Sequence, residues 1–297
     1  MKLFDLHCDT AYEMYKQNQG FEKNDLHISL SKAKDIEKYI QILAVWCDNK
    51  KGDEECFEEF LKIHSNILKH TELITNSCEE NRGFYLSVED ARLIAGKIER
   101  LDVLYEMGVR FLIPMWSGKS CIGGAFDSDE GLTDFGKEVI KRCFDIGIIP
   151  DISHASIKSA NDIFNIAEGV RKPVIASHSC SFAAYHHARN LRDDQFERIK
   201  SLGGIVGLSF CRYHLTNKND KCNTDNILAH LEHYLEIGGE DTVCFGADMD
   251  GAPMPDDIKG IESVPMLYEK LCDRFGRAVS DKITYQNAYN FVKLNLK

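Results

Sequence analysis

The chain has 297 residues, 43% hydrophobic and 28% charged, the make-up of an ordinary soluble globular protein. Its net charge of −11 argues against nucleic acid and anionic membrane as partners, since both reward a basic surface. No apolar run approaches the roughly 18 residues of a spanning helix, and the charged opening MKLFDLHCDTAYEMYK has no signal-peptide core.

In chain order, the first short apolar, strand-like run is LFDLHCD (3–9), followed by YIQILAVWC (39–47), GFYLSVE (83–89) and VRFLIPMW (109–116). GIIPDISH (147–154), KPVIASHS (172–179), GGIVGLSF (203–210) and TVCFGADMD (242–250) continue the series. Between them, segments 55–70, 91–107, 134–146, 193–202 and 226–237 repeat apolar residues at helical steps, and two further helices are expected around 263–275 and 281–295. Gly108, Gly147, Gly203 and Gly238 stand just past helix ends, where a left-handed cap favours glycine.

Strands apolar on both faces and alternating with helices predict a parallel sheet. Eight of them in about 250 residues predict an α/β fold of the closed (β/α)8 TIM-barrel kind. With six prolines and no linker composition, residues 1–297 read as a single domain. A doubly wound open sheet is the competing arrangement, but G-x-G-x-x-G is missing after the first strand. The eleven cysteines, an odd number without a C-x-x-C pair, predict free thiols in a reducing compartment and hence a cytoplasmic protein.

In such a barrel, chemistry sits where the strands end. The predicted ends carry His7 and Asp9, Glu89, His154, His178 and Asp248. Singly, each has a structural explanation: Asp9 or Thr10 as a helix cap, Glu89 as a helix-dipole partner, His154 as a turn residue, Asp248 and Asp250 as turn formers. Together, three histidines and three carboxylates at one barrel mouth would be a costly polar cluster without a cation. Imidazole with carboxylate suits zinc or a similar divalent ion, and six groups exceed the needs of one catalytic zinc. Two metals bridged by a carboxylate and a hydroxide account for the number, and a binuclear metallohydrolase is expected. Strand alternation is expected to put His7 and Asp9 on one face and turn Cys8 away.

Other motifs fail. WSGKS (116–120) lacks the phosphate-loop glycine because position 113 is Ile113, and G-x-S-x-G fails at Ile122. HLEH (230–233) is not H-E-x-x-H, and the remaining histidines, His186 and His187 included, are expected at the surface. The acidic run from Asp53 to Glu55 reads as a solvated face.

The motifs HCD, SVED, DISHAS, ASHS, ARN (188–190) and GADMDG, with GLTDFGKEVIKRCFDIGIIPDISHAS (131–156), resemble the membrane (renal-type) dipeptidase family, binuclear zinc peptidases of the metal-dependent hydrolase superfamily. The resemblance runs from about residue 3 to about 290. It implies that His7 and Asp9 hold one Zn2+, His154 and His178 the other, and that Glu89 bridges both. It further implies Asp248 as acid/base and Arg189 as the guanidinium that grips the dipeptide's carboxylate. Trp116 occupies a position where mammalian members carry a substrate-polarising histidine, and Ser209, Phe210 and Cys211 replace an Asn-Phe-Tyr pattern. Both departures surround the substrate and leave the metal ligands intact. The expected activity is hydrolysis of dipeptides by a metal-bridging hydroxide, and a homodimer follows by analogy. Two alternatives stay open: another binuclear amidohydrolase acting on a small amide or phosphoester, and a catalytically silent small-molecule binder.

Overall fold

Seven of the eight predicted runs form one parallel sheet in a computed structural model that describes residues 1–76 and 81–296. The strands are β1 Lys2–Cys8, β2 Lys38–Trp46, β3 Arg82–Glu89, β4 Val109–Ile113, β5 Ile149–Pro150, β6 Val206–Leu208 and β7 Val243–Phe245. Their order is β5-β4-β3-β2-β1-β7-β6. The run expected at 172–179 contributes single parallel bridges instead of a strand, from Ile175 to Asp151 and from Ala176 to Val206. This segment therefore touches both edges of a curled sheet.

Side-chain alternation divides the core in two. Facing inward, Phe4, Leu6, Ile40, Ile42, Tyr85, Phe111, Ile149, Ile175, Ile205 and Cys244 form one buried cluster, drawn from every run of the series. The C-terminal helix Asn287–Asn295 plugs it with Ala288, Phe291 and Val292, and Tyr285 precedes them in a π-helical turn, Lys282–Gln286. The opposite faces of the strands pack in a second, larger cluster against the surrounding helices. Those helices end as predicted: Gly108, Gly147, Gly203 and Gly238 all have φ between 71° and 97°.

One irregularity aims the site. Asp5 pairs with Gln41 but Cys8 pairs with Leu43, so β1 holds one extra residue between them. Phe4 and Leu6 face inward, and unbroken alternation would have sent Cys8 inward and His7 outward. The bulge reverses this, and Cys8 lands in the outer core. Asp5 holds the bulge: its Oδ1 accepts from the His7 amide at 3.0 Å and its Oδ2 from the Ala247 amide at 3.1 Å. The expected disposition of His7 and Cys8 is observed, but a bulge produces it, not regular alternation.

All described cysteines are free thiols, and Cys78 lies outside the described residues. None of the described helices is long and apolar enough to cross a membrane.

Candidate metal centre

The carboxyl ends of the strands converge on Glu89. From the tip of β3 its Oε2 lies 3.5 Å from His7 Nε2, while its Oε1 lies 2.9 Å from His154 Nε2 and 3.7 Å from His178 Nε2. His7 Nε2 is also 3.5 Å from Asp9 Oδ2 and 3.8 Å from Asp248 Oδ1. Two overlapping donor groups result, His7 with Glu89 and His178, and His7 with Asp9 and Asp248, all buried. The Asp9 side chain does not cap the helix Thr10–Gln17, so the capping explanation fails there.

The donor chemistry calls for cations. Neither ring nitrogen of His7 has a hydrogen-bond partner although the residue is fully buried. His154 Nδ1 lies 2.9 Å from the carbonyl oxygen of Trp116, an acceptor, so Nδ1 carries the proton and Nε2 presents a lone pair. That lone pair is 2.9 Å from His178 Nε2, whose own Nδ1 is engaged by Ser177 Oγ at 2.9 Å. Two imidazole nitrogens and a carboxylate oxygen crowded this way suit a divalent ion between them.

The charges distort one another. Burial drives His154 down to about 4, with Arg189 adding to the effect, and drives His178 well below the usual imidazole range. Burial opposes the charged form of His7, but Glu89 and Asp9 overcome it and hold the ring well above its ordinary value. Burial lifts Asp9 to about 6, Glu89 reinforcing the shift, and lifts Asp248 well above the carboxylate range. Glu89 is held low by His7 and His154 against the burial that would raise it.

Backbone strain accompanies the chemistry. His154, Asp248 and Asp250 have φ of 72°, 62° and 68°, a left-handed conformation costly for residues with a Cβ. Asp250 locks its turn, accepting from Thr10 Oγ1 at 2.6 Å and from the His27 amide at 2.6 Å.

Two cavities meet at His154. The larger, about 230 Å³, is lined by Trp116 and by residues not singled out in the sequence: Tyr12, Trp46, Glu13 and Lys16. Trp46 stands edge-on between Tyr12 and Trp116, at 5.3 and 5.1 Å. The smaller, about 130 Å³, contains Arg189, which is buried with Nε and Nη2 unpartnered. Six of the eight expected site residues thus meet around His7 and Glu89, and Trp116 and Arg189 line the two cavities that share His154. The expectation of surface positions for the other histidines is wrong for two: His64 and His230 are buried, bonded to the carbonyls of Met107 and Leu215. Both stand within the buried stripe of their helices, His64 between Phe60 and Ile67 and His230 between Ile227 and Tyr234.

Residues 1–294 match the family model of membrane dipeptidases, peptidase family M19. An uncharacterized dipeptidase of Schizosaccharomyces pombe is 30% identical over 198 residues, 64% of this chain and 47% of that protein, so the match spans about half of the relative's length. Among solved structures, a metallopeptidase described as dipeptidase AC is similar with a TM-score of 0.92, 22% identity and coverage of 100% and 99% of the two chains. A metallopeptidase of Rhodobacter sphaeroides, liganded with a phosphinate mimic of L-Ala-D-Ala, gives 0.90 and 21% over 99% of both.

Proposed function

The chain belongs to the membrane dipeptidase family, peptidase family M19, and from that premise we propose that this hydrolase cleaves free dipeptides at a centre of two divalent cations, zinc foremost. The observation that carries this is Glu89, whose two oxygens face opposite histidine sets. His7, Asp9 and Glu89 would hold one ion, and His154, His178 and Glu89 the other. Bound there, the ions would acidify a water and polarise the scissile carbonyl.

The chain's own residues do the rest. Asp248, buried against His7 and raised by that burial, accepts a proton from the attacking water and returns it to the leaving amine. Arg189, buried with Nε and Nη2 unpartnered, binds the substrate's terminal carboxylate with its planar fork. That grip favours dipeptides over longer chains. Trp116 orients His154 through its carbonyl and walls the larger cavity with its ring. The phosphinate dipeptide mimic held by the Rhodobacter sphaeroides relative supports a dipeptide as substrate.

The same proposal takes the run 172–179 as the stave that closes an eight-stranded barrel, within one domain spanning the whole chain. Free thiols throughout the described residues support a cytoplasmic setting. The test is metal analysis of the purified protein alongside a dipeptide panel. Two equivalents of metal and turnover are expected; a metal-free protein that still hydrolyses dipeptides, or a loaded one that hydrolyses none, overturns the assignment.

A further inference from the structure

The two cavities that meet at His154 carry opposite charge. Around the larger stand Asp9, Glu13, Glu89, Asp248 and Asp250 against a single ammonium, Lys16. The smaller is lined by Arg189 and Arg192 and by no carboxylate at all, in a chain whose acidic residues outnumber its basic ones by 47 to 36. The larger cavity is therefore acidic and the smaller one basic.

Both guanidiniums are held in the same manner. Arg189 lies over the ring of Phe126, 5.7 Å from its centroid, and Arg192 over the ring of Phe182 at 4.8 Å, and both rings line the cavity. Arg189 is buried; Arg192 is exposed at the rim and has no carboxylate partner among the described residues. The substrate's terminal carboxylate satisfies one of these cations. The second is left facing whatever side chain the C-terminal residue carries.

We propose that Arg192 selects that side chain, so that this enzyme favours dipeptides ending in aspartate or glutamate over those ending in a neutral or basic residue. The inference rests on the dipeptidase assignment above and adds the substrate class. The volume of about 130 Å³ has room for a short acidic side chain beyond the α-carboxylate, and the buried amide of Gln195 adds polar lining. A C-terminal lysine would instead bring its ammonium against two guanidiniums.

The experiment compares kcat/KM for Ala-Glu, Ala-Gln and Ala-Lys, with both stereoisomers of the second residue, in the metal-loaded full-length protein. Wild type should prefer Ala-Glu to Ala-Gln by about fivefold at low salt, the size expected of a partly exposed ion pair, mainly through KM. The ratio should shrink as salt is raised. Arg192→Gln should bring it to about one, and Arg192→Glu should invert it and favour Ala-Lys. Turnover of all three peptides with no preference for glutamate, or a preference unchanged in Arg192→Glu, overturns the role of Arg192 and leaves the dipeptidase assignment standing. Turnover of none overturns both.

Discussion

Gly207 sits in the wall directly behind His178, and a single methyl there should disable the site from outside it. A Cβ on Gly207 would lie 1.8 Å from the carbonyl oxygen of Ser177 and 2.8 Å from its carbon. Carbon and oxygen settle at roughly 3.3 Å, so one of the two backbones must give by about 1.5 Å. Both are tied: the Gly207 amide donates to the Ala176 carbonyl at 2.8 Å, and the Ser179 amide donates to the Gly207 carbonyl at 2.8 Å. Displacing Ser177 carries His178 with it, and His178 Nε2 stands only 2.9 Å from His154 Nε2. Gly207→Ala should therefore destabilise the protein by about 3–5 kcal/mol, at the severe end for overpacking. In a chain of this size that lowers the melting temperature by about 10 °C. Misplacing a ligand by an ångström should also cost on the order of 100-fold in turnover. Differential scanning calorimetry measures the first, a metal titration reads the displaced ligand, and a dipeptide turnover assay measures the second. A Gly207→Ala protein that melts like wild type and binds metal with unchanged affinity would refute the close approach on which this rests; Gly246→Ala, whose Cβ would fall 1.7 Å from the same oxygen, should repeat the result.

Three further outcomes are expected. Glu89→Gln removes the carboxylate shared by His7 and the His154/His178 pair, so metal content should drop below two per chain and dipeptide turnover by at least about 100-fold; undiminished content by elemental analysis would contradict the shared role. Cys8→Ala should cost about 1 kcal/mol of stability and leave turnover intact, since Cys8 is packed in the outer core; loss of metal in this variant would place the thiol at the mouth after all. His230 is buried away from the site and lowered by that burial, with its Nδ1 accepting from the Ser181 amide at 3.1 Å. Its contribution is therefore fully present above the unfolded value of 6.5 and is lost as pH falls below it, by up to about 1.4 kcal/mol per pH unit. Urea midpoints between pH 7.5 and 5.5 should fall less for His230→Asn than for wild type, and equal slopes would count against this assignment.

Periodicity was enough to locate the strand ends, because runs buried on both faces announce themselves, and the ligand-type residues follow from those ends. The route from β1 to His7 was not legible: a one-residue bulge depends on pairing with β2 and on Asp5 reaching across to the Ala247 amide. The run at 172–179 looks as strand-like as its neighbours, yet only Ile175 and Ala176 make ladder bridges, since the next residues turn to aim His178. Trp46 and Tyr12 escaped notice because an aromatic at a strand end or in a first helical turn is ordinary core material; only the edge-on packing of Tyr12 on Trp46 and of Trp46 on Trp116 marks them as cavity wall. Arg192 carries no local signal at all, and its meaning comes from the charge of everything around it.

The site also trades stability for chemistry, and Asp248 exposes the exchange. Its carboxylate shares one buried pocket with Asp9 and Glu89, all within 3.8 Å of His7 Nε2, so without cations three acidic groups compete for one imidazole. Burial has raised Asp248 well above its ordinary 3.8, which means that its linked stability is present below that pH and lost as pH rises. Ionising the group in the cation-free fold is therefore costly. Asp248→Asn removes the charge while keeping the shape, and asparagine tolerates the left-handed φ of 62° that alanine would resist. Chelator-treated Asp248→Asn should thus be about 1–2 kcal/mol more stable than chelator-treated wild type, while the proposed acid/base role requires the metal-loaded variant to turn over dipeptides at least about 100-fold more slowly. Metal addition should narrow the difference, because the cations relieve the same repulsion in wild type. A chelated variant that melts below wild type would mean that Asp248 supports the fold rather than burdening it, and the assignment of its proton-transfer role would lose its physical basis.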